Sequence, residues 1–453
     1  MSLAYESLPF RAPSDENEVC NPLLNYHLSL LALPQFNHQA YTALQAWKRV
    51  IYSDPFNFTS NWHGLNVCSY NGIYCAPHPN DTTALVIAGI DLNHRDIAGF
   101  LPEELGLLSD LALLHLNSNR FCGIIPQTFS NLTLLFELDL SNNRFVGKFP
   151  SVILSLPSLH YLDIRFNEFE GQLPPQLFNK TLDAIFLNNN RFTSVIPQNL
   201  GSSSASVVVF ANNRFNGCLP PSIAKFANTL EELLLINTSL SGCLPIELGF
   251  LYKLKVLDVS FNQIVGPIPY SLTGLSKLEV LNLGHNEMSG IVPEGICVLP
   301  NLTNFTISYN YFCEEEGVCG NLTSKGIVFG DRKNCLPEKK FQRSKKECDA
   351  EKPVDCFENA CGKSTMRFGS RDYSEACDRI TGDCDDQETM MASEISRRIL
   401  EQQSGYISYG ALERDSVPCN VRGNSYYNCN SDEQANPYHR ACTRITHCAR
   451  NNH

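Results

Sequence analysis

Leucines recur along most of the chain in the frame L-x-L-x-x-N. The last position of that frame falls at Arg95, Asn119, Asn143, Asn167, Asn190, Asn213, Thr238, Asn262, Asn286 and Asn310, in steps of 24, 24, 24, 23, 23, 25, 24, 24 and 24 residues. Each L-x-L predicts a short strand whose leucines turn inward and whose intervening residues face outward. One strand per repeat at this period predicts parallel strands stacked coil upon coil. The recurrent Asn turns the chain, and its side-chain amide can bond backbone groups of neighbouring coils that would otherwise lie unpaired. Upstream, AYTALQAWKRVIYSDPFNFTSNW (40–62) has the apolar spacing of a helix.

After the Asn comes G-x-I/L/F-P, as in GIIP (123–126), GKFP (147–150), GPIP (266–269) and GIVP (290–293). Ten coils at this period form a leucine-rich repeat solenoid, an α/β fold, and the consensus is similar to the plant-type subclass of the repeat. A solenoid end exposes apolar core and requires capping segments. The chain accordingly divides into an N-terminal extension (1–36), an N-terminal cap (37–85), the repeats (86–312), a Cys-rich C-terminal cap (313–362), an acidic linker (363–404) and a small disulfide-rich module (405–453). Cys68 and Cys75 in the first cap are expected to pair. Cys218 and Cys243 each fall five residues after their ladder position in adjacent coils. Coils stack about 4.8 Å apart, within the separation a disulfide tolerates, so these two are expected to be bridged, with two free core thiols as the alternative.

Nineteen cysteines and N-x-S/T sequons at Asn57, Asn80, Asn131, Asn179, Asn237, Asn301, Asn304 and Asn321 point to an oxidising, glycosylating, secreted route. The first twenty residues show no signal peptide, and this start is read as incomplete or replaced. No run approaches the ~18 apolar residues that would span a bilayer. A formal net charge of -12 disfavours nucleic acid and anionic membranes as partners. No catalytic motif stands in a suitable context, so an enzyme is not expected, nor a metal or other cofactor. The odd cysteine count leaves at least one thiol free or intermolecular, and a disulfide-linked homodimer through the N-terminal or capping region, where Cys20 stands alone, is expected.

Two resemblances refine this picture. ALQAWK, IYSDPFN, CSYNGIYC (68–75), DRKNCLPEKKFQRSKKEC (331–348) and PVDC (353–356) resemble the caps of the leucine-rich repeat extensins of plants, over roughly residues 35–362. Such proteins continue into Ser-Pro-rich repeats, whereas here only Pro418 and Pro437 follow Pro353. YISY (406–409), VPC (417–419), SYYNC (425–429), NPY (436–438) and ITHC (445–448) resemble the rapid alkalinization factors, plant peptide hormones made as precursors. That resemblance implies the pairs Cys377–Cys384, Cys419–Cys429 and Cys442–Cys448, and processing at Arg397, Arg398, Ile399 and Leu400. It also implies that Tyr406, Ile407, Ser408 and Tyr409 engage glycosylphosphatidylinositol-anchored co-receptors, with malectin-like receptor kinases as signalling partners and cell-wall pectin as a further one. From Glu401 onward arginines and carboxylates balance, unlike the basic peptides of that family.

On the concave face, Asp139, Tyr161, Asp163, Phe166, Phe186, Asp258, Phe261 and Tyr309 fall at outward positions and make a peptide-binding surface. The extensin resemblance implies that rapid alkalinization factor peptides bind there, in trans or in cis. In cis, Asp139, Asp163 and Asp258 are expected to meet Arg422 and Arg440, with Tyr426 and Tyr427 as apolar anchors. The expected function is therefore a secreted protein of the apoplast and cell wall, with a peptide-binding solenoid and a hormone-like tail acting in growth control. A polygalacturonase-inhibitor-like defence protein is the alternative. Receptor-like and ligand-like parts on one chain fit a natural fusion, an engineered one or a merged gene equally.

Overall fold

The computed structural model describes residues 35–350, 354, 356, 405–430 and 434–449. The chain opens with an α-helix, Gln35–Val50, whose last turn carries Lys48 and Arg49, cations suited to a helix C-terminus. Its Ala43, Leu44 and Trp47 close the first coil, where the Trp47 ring lies 5.6 Å from Phe121 and 5.7 Å from Trp62. Asp54 stiffens the segment that follows by accepting the N–H of Phe58 at 2.9 Å and of Thr59 at 2.8 Å. The expected Cys68–Cys75 disulfide is present.

Beyond the cap the chain winds into a solenoid with a 12-stranded concave sheet. An antiparallel hairpin, Ile73–His78 with Asp81–Asp91, begins it, and every later pairing runs parallel, from Leu113–His115 to Val328–Gly330. Short strands on the flank form sheets of seven and four strands. The turns opposite the concave sheet are mostly 3-10 helices, and Pro102, Pro126, Pro150, Pro174, Pro220, Pro245 and Pro269 each precede one. Proline suits that position because its fixed φ enters the turn and no N–H is left unpaired.

Each ladder Asn ties two coils together. Asn190 Oδ1 accepts the N–H of Phe169 at 3.0 Å, while its Nδ2 donates to the carbonyls of Ile164 at 2.9 Å and Leu187 at 3.1 Å. The residue before each rung takes a left-handed backbone, including Phe166, Phe261 and Tyr309 at φ 50°, 58° and 61°. There its N–H can reach the next coil, as Phe261 reaches the Gly284 carbonyl at 3.0 Å. The two exceptions find other partners. Thr238 Oγ1 bonds Asn262 and the Leu235 carbonyl, both at 2.9 Å, and the Arg95 guanidinium lies 4.0 Å above the Phe58 ring. The ladder runs one coil further than the spacing of leucines indicates. Asn334, inside the Cys-rich cap, makes the same bonds: its Oδ1 accepts the Phe312 N–H and its Nδ2 donates to the Ile307 carbonyl.

The expected Cys218–Cys243 bridge does not form. Cys243 is bonded to Cys356, with Cα atoms 5.7 Å apart, and Cys218 belongs to another disulfide. Adjacent coils do bring the two residues near one another, but the chain beyond the last coil returns to the flank. Cys356 sulfur lies over Gly266, where a side chain would collide with it. Cys297–Cys319 and Cys335–Cys348 close the C-terminal cap. The expected Cys377–Cys384 pair, Cys20 and the processing residues Arg397, Arg398, Ile399 and Leu400 lie outside the described residues.

The ladder predicts the behaviour of one variant. Asn190→Ala leaves the Phe169 N–H buried without its partner, while the Ile164 carbonyl keeps the Asn167 amide at 3.2 Å, and is expected to cost about 1–3 kcal/mol of stability. Thermal unfolding followed by circular dichroism measures it. An unchanged transition would deny the ladder its structural role.

Candidate peptide-binding face

In each concave strand the middle residue enters the core and its two neighbours face the hollow. Leu162 is thus inside, while Tyr161 and Asp163 face out. The outward side chains change character along the axis. The early coils offer Asp91, His115, Glu137, Asp139 and Asp163; the middle coils offer Ala184, Phe186, Val207, Val209, Leu234, Val256 and Val280. The C-terminal module lies along this hollow. Ile407, Tyr409, Ala411, Tyr426, Tyr427 and Ile445 pack against the middle coils as a second apolar core, separate from the solenoid's own. The module's Cys419–Cys429 and Cys442–Cys448 disulfides are both present.

Carboxylates of the face receive phenol hydroxyls. Tyr426 donates to Asp139 at 2.8 Å and accepts from Asn93 at 3.1 Å; its ring stacks on His115 at 3.9 Å. Tyr427 donates to Asp183 at 3.0 Å, Tyr409 to Asp258 at 2.8 Å and Tyr406 to Glu279. Burial pushes the phenols of Tyr409, Tyr426 and Tyr427 well above their ordinary value, and the facing carboxylates push them further, so each remains a donor. Backbone groups complete the seam. The N–H of Ser408 donates to Glu232 at 2.9 Å, that of Tyr426 to Glu137 at 2.8 Å and that of Ile445 to Asp183 at 2.7 Å. Asn188 donates to the Ala411 carbonyl at 2.8 Å, and Arg165 to that of Ser416.

Two glycines mark where backbone and face come closest. Gly89, on the Asp81–Asp91 strand, has Pro437 over it, and a Cβ there would stand 2.7 Å from the proline ring. Gly423, at φ 76°, passes directly over the Tyr74 ring.

The arginine pairing expected of this face is not what forms. Asp139 and Asp258 take tyrosines, and Asp163 is held by Arg165 of its own face at 3.4 Å and by Tyr161. Arg440 goes instead to Glu137 at 3.4 Å, its guanidinium 4.3 Å above Phe136, and Arg422 donates to the Asn93 carbonyl at 3.2 Å. A hydroxyl bond buries one carboxylate without burying a guanidinium beside it, and so avoids the heavier desolvation cost of an ion pair. Tyr161 and Phe186 stand in the second apolar core as expected of outward positions. Phe166, Phe261 and Tyr309 do not belong to the strands, because each occupies the left-handed turn just beyond. Of the three, Phe166 meets the tail, 5.6 Å below Arg414, while Phe261 and Tyr309 each stack on His285 at 4.1 Å.

Tyr406, Ile407, Ser408 and Tyr409 lie against the face rather than out in solvent, with Ser408 fully buried. Seven of the sequon asparagines are exposed, but Asn304 is 5% exposed on a concave strand, where a glycan has no room. Glu137, Asp183, His115 and Asn93 were not singled out by sequence. Taking both residues flanking the central leucine of each strand recovers Glu137 and His115. Asp183 and Asn93 lie outside the strands and carry no such signal.

Residues 387–450 match the family described as Rapid ALkalinization Factor, and residues 109–169 and 252–312 match that described as Leucine rich repeat. The chain is 61% identical over 332 residues to leucine-rich repeat extensin-like protein 7 of Arabidopsis thaliana, covering 73% of this chain and 76% of that protein. It is 59% identical over 344 residues to pollen-specific leucine-rich repeat extensin-like protein 3 of the same plant, covering 75% of this chain but 47% of that protein. Of the longer relatives it therefore spans less than half the length. A solved structure of the Arabidopsis receptor kinase HAESA, in complex with the peptide hormone IDA and the co-receptor SERK1, aligns with a TM-score of 0.54 at 29% identity, covering 61% of this chain and 46% of that one. Extensin-like and alkalinization factor proteins are structural and signalling proteins, not enzymes, and both families are extracellular. Among the described residues no helix is long and apolar enough to cross a membrane.

Tyr426→Phe tests the hydroxyl seam. It keeps the stack on His115 but removes the partner of Asp139 Oδ2 and of Asn93 Nδ2, and is expected to weaken the tail's hold about 10- to 100-fold, from about 1–3 kcal/mol for a buried group left unpaired. Hydrogen exchange at the amides of Ser408 and Ile445, which donate from the module to Glu232 and Asp183 of the face, reads the change, and unaltered protection there would mean the hydroxyl contributes nothing.

Proposed function

The chain belongs to the leucine-rich repeat extensin-like proteins and carries a Rapid ALkalinization Factor domain at its C-terminal end, and from that premise we propose that it is a secreted apoplastic signalling protein whose concave face holds its own hormone-like module in cis. The observation that carries this reading is the second apolar core, which neither part has alone. Val207, Val209, Val256 and Leu234 would otherwise stand open to water as a continuous apolar patch, a feature soluble proteins reserve for binding.

Chain connectivity supports docking in cis. Only 48 residues separate Cys356 from Gly405, and a tether of that length gives an effective concentration on the order of millimolar, so even a modest affinity keeps the module seated. The face is fitted to peptides of this class, and a free peptide with the same tyrosines competes for the same acceptors. Seated, the module hides Tyr406–Tyr409, the segment that the hormone resemblance links to co-receptors and malectin-like kinases. Release is then the step that makes it available. Processing near Arg397–Leu400 would free the module covalently, leaving the seam as the remaining hold.

A protease site placed between residues 387 and 396 of the intact chain tests the proposal. After cleavage under oxidising conditions, the module is expected to co-elute with the solenoid in size-exclusion chromatography at micromolar concentration. Complete separation of two folded pieces would overturn it.

A further inference from the structure

The hollow begins with a step. Tyr74 and Gly89 stand directly opposite one another in the antiparallel hairpin that opens the concave sheet, so one member of the pair raises a phenol ring and the other raises nothing. At the position of Gly89 the next three strands carry Leu113, Glu137 and Tyr161. The module meets this step with its inverse. Gly423, which has no side chain, crosses the Tyr74 ring, and a Cβ on it would collide with the ring atoms. Pro437, a rigid ring, fills the space that Gly89 leaves open.

Hydrogen bonds hold the two halves of this contact at a fixed separation. The Gly423 N–H donates at 3.0 Å to the buried carboxylate of Asp91, two residues beyond Gly89 on the same strand. Asn424 is buried beside it, accepting the Asn436 N–H at 3.2 Å and donating to the Asn430 carbonyl at 3.0 Å. It thereby ties the Gly423 turn, inside the Cys419–Cys429 loop, to the Pro437 segment outside that loop. Beside Pro437, Tyr438 donates its hydroxyl to the Asp110 carbonyl.

We propose that this step selects the peptides the face accepts, in cis or in trans: disulfide-bonded peptides with a glycine three residues before the first of two adjacent tyrosines, and a proline clamped beside that glycine. The inference rests on the cis-docked reading and names the class of ligand the face will take. A hydroxyl on a long side chain can still reach its acceptor when the backbone behind it shifts slightly, but close-packed backbone lying on a ring has no such freedom. A side chain at the glycine position lifts the peptide off Tyr74. The lift carries Ser425 and Tyr426, two and three residues on, away from Glu137 and Asp139, so the loss spreads from shape to the seam. The left-handed φ of 76° at Gly423 belongs to the module's own backbone, whereas the ring is met only on docking.

Hydrogen exchange of the intact chain at the amides of Ser408 and Ile445 tests this. Both donate to the face, and both lie in the first turn of short helices, Ile407–Gly410 and Ile445–Ala449, where an N–H has no helical partner. Their protection therefore reports docking. Gly423→Ala is expected to weaken docking at least about tenfold, as an overpacked contact does. Gly410→Ala, where the added Cβ meets only Ser416 Oγ at 3.9 Å, is expected to leave it unchanged. In a Tyr74→Ala background, Gly423→Ala is expected to lose most of its effect, because the ring it strikes is gone. Mass mapping of Cys419–Cys429 and Cys442–Cys448 in each variant verifies that the module has folded. Protection unchanged by Gly423→Ala would overturn the selection and leave cis docking standing. A loss equally large without the Tyr74 ring would also overturn it, tracing the effect to the module's own backbone. No protection in the unsubstituted chain would overturn cis docking itself.

Discussion

Everything on the concave face depends on the side-chain amide of one asparagine per coil. Asn119, Asn143, Asn167, Asn190, Asn213, Asn262, Asn286, Asn310 and Asn334 each accept an N–H from the preceding coil and donate to carbonyls of that coil and of their own. Backbone groups in these turns are buried, and no regular ladder reaches them. Satisfying them from a side chain fixes the register of adjacent coils, and the register fixes the rows of outward side chains. Carboxylates at the edge of the hollow, Asp139, Asp183, Asp258 and Glu279, therefore stand at fixed positions along it, where the module's tyrosines reach them.

The fold was legible because its signal is redundant. A spacing that returns to 23–25 residues nine times cannot be produced by accident, and each rung is a single recognisable residue. The reading stopped one coil early because Asn334 follows strand Val328–Gly330, which lacks the leucines that announce the others. The disulfide at Cys243 was misread for a different reason. Sequence spacing reports neighbours along the solenoid axis, but Cys356 arrives from outside the repeat, and nothing in the period encodes where a returning chain lands.

The candidate site was legible in location and less so in chemistry. Outward positions follow from the alternation of a strand, so Asp139, Tyr161, Asp163, Phe186 and Asp258 were within reach. Their partners were not. Opposite charges suggested arginines for the aspartates, whereas the face is nearly dry once covered, and in a dry interface a hydroxyl is the less costly companion for a carboxylate. Phe166, Phe261 and Tyr309 were misplaced because each lies three residues beyond the end of its strand, at Asp163, Asp258 and Thr306, in a left-handed turn.

The bond between Cys243 and Cys356 has a mechanical consequence. It closes a loop spanning 113 residues, from a middle coil of the solenoid to a point beyond its last one. A pull on the chain downstream of Cys356 is therefore delivered to the coil of Cys243, not to the final coil. The coils between are bypassed by the load and cannot be peeled away one at a time from the C-terminal end. Tension transmitted through the downstream chain would strain the tether to the hormone-like module while the lattice that positions its acceptors stays intact.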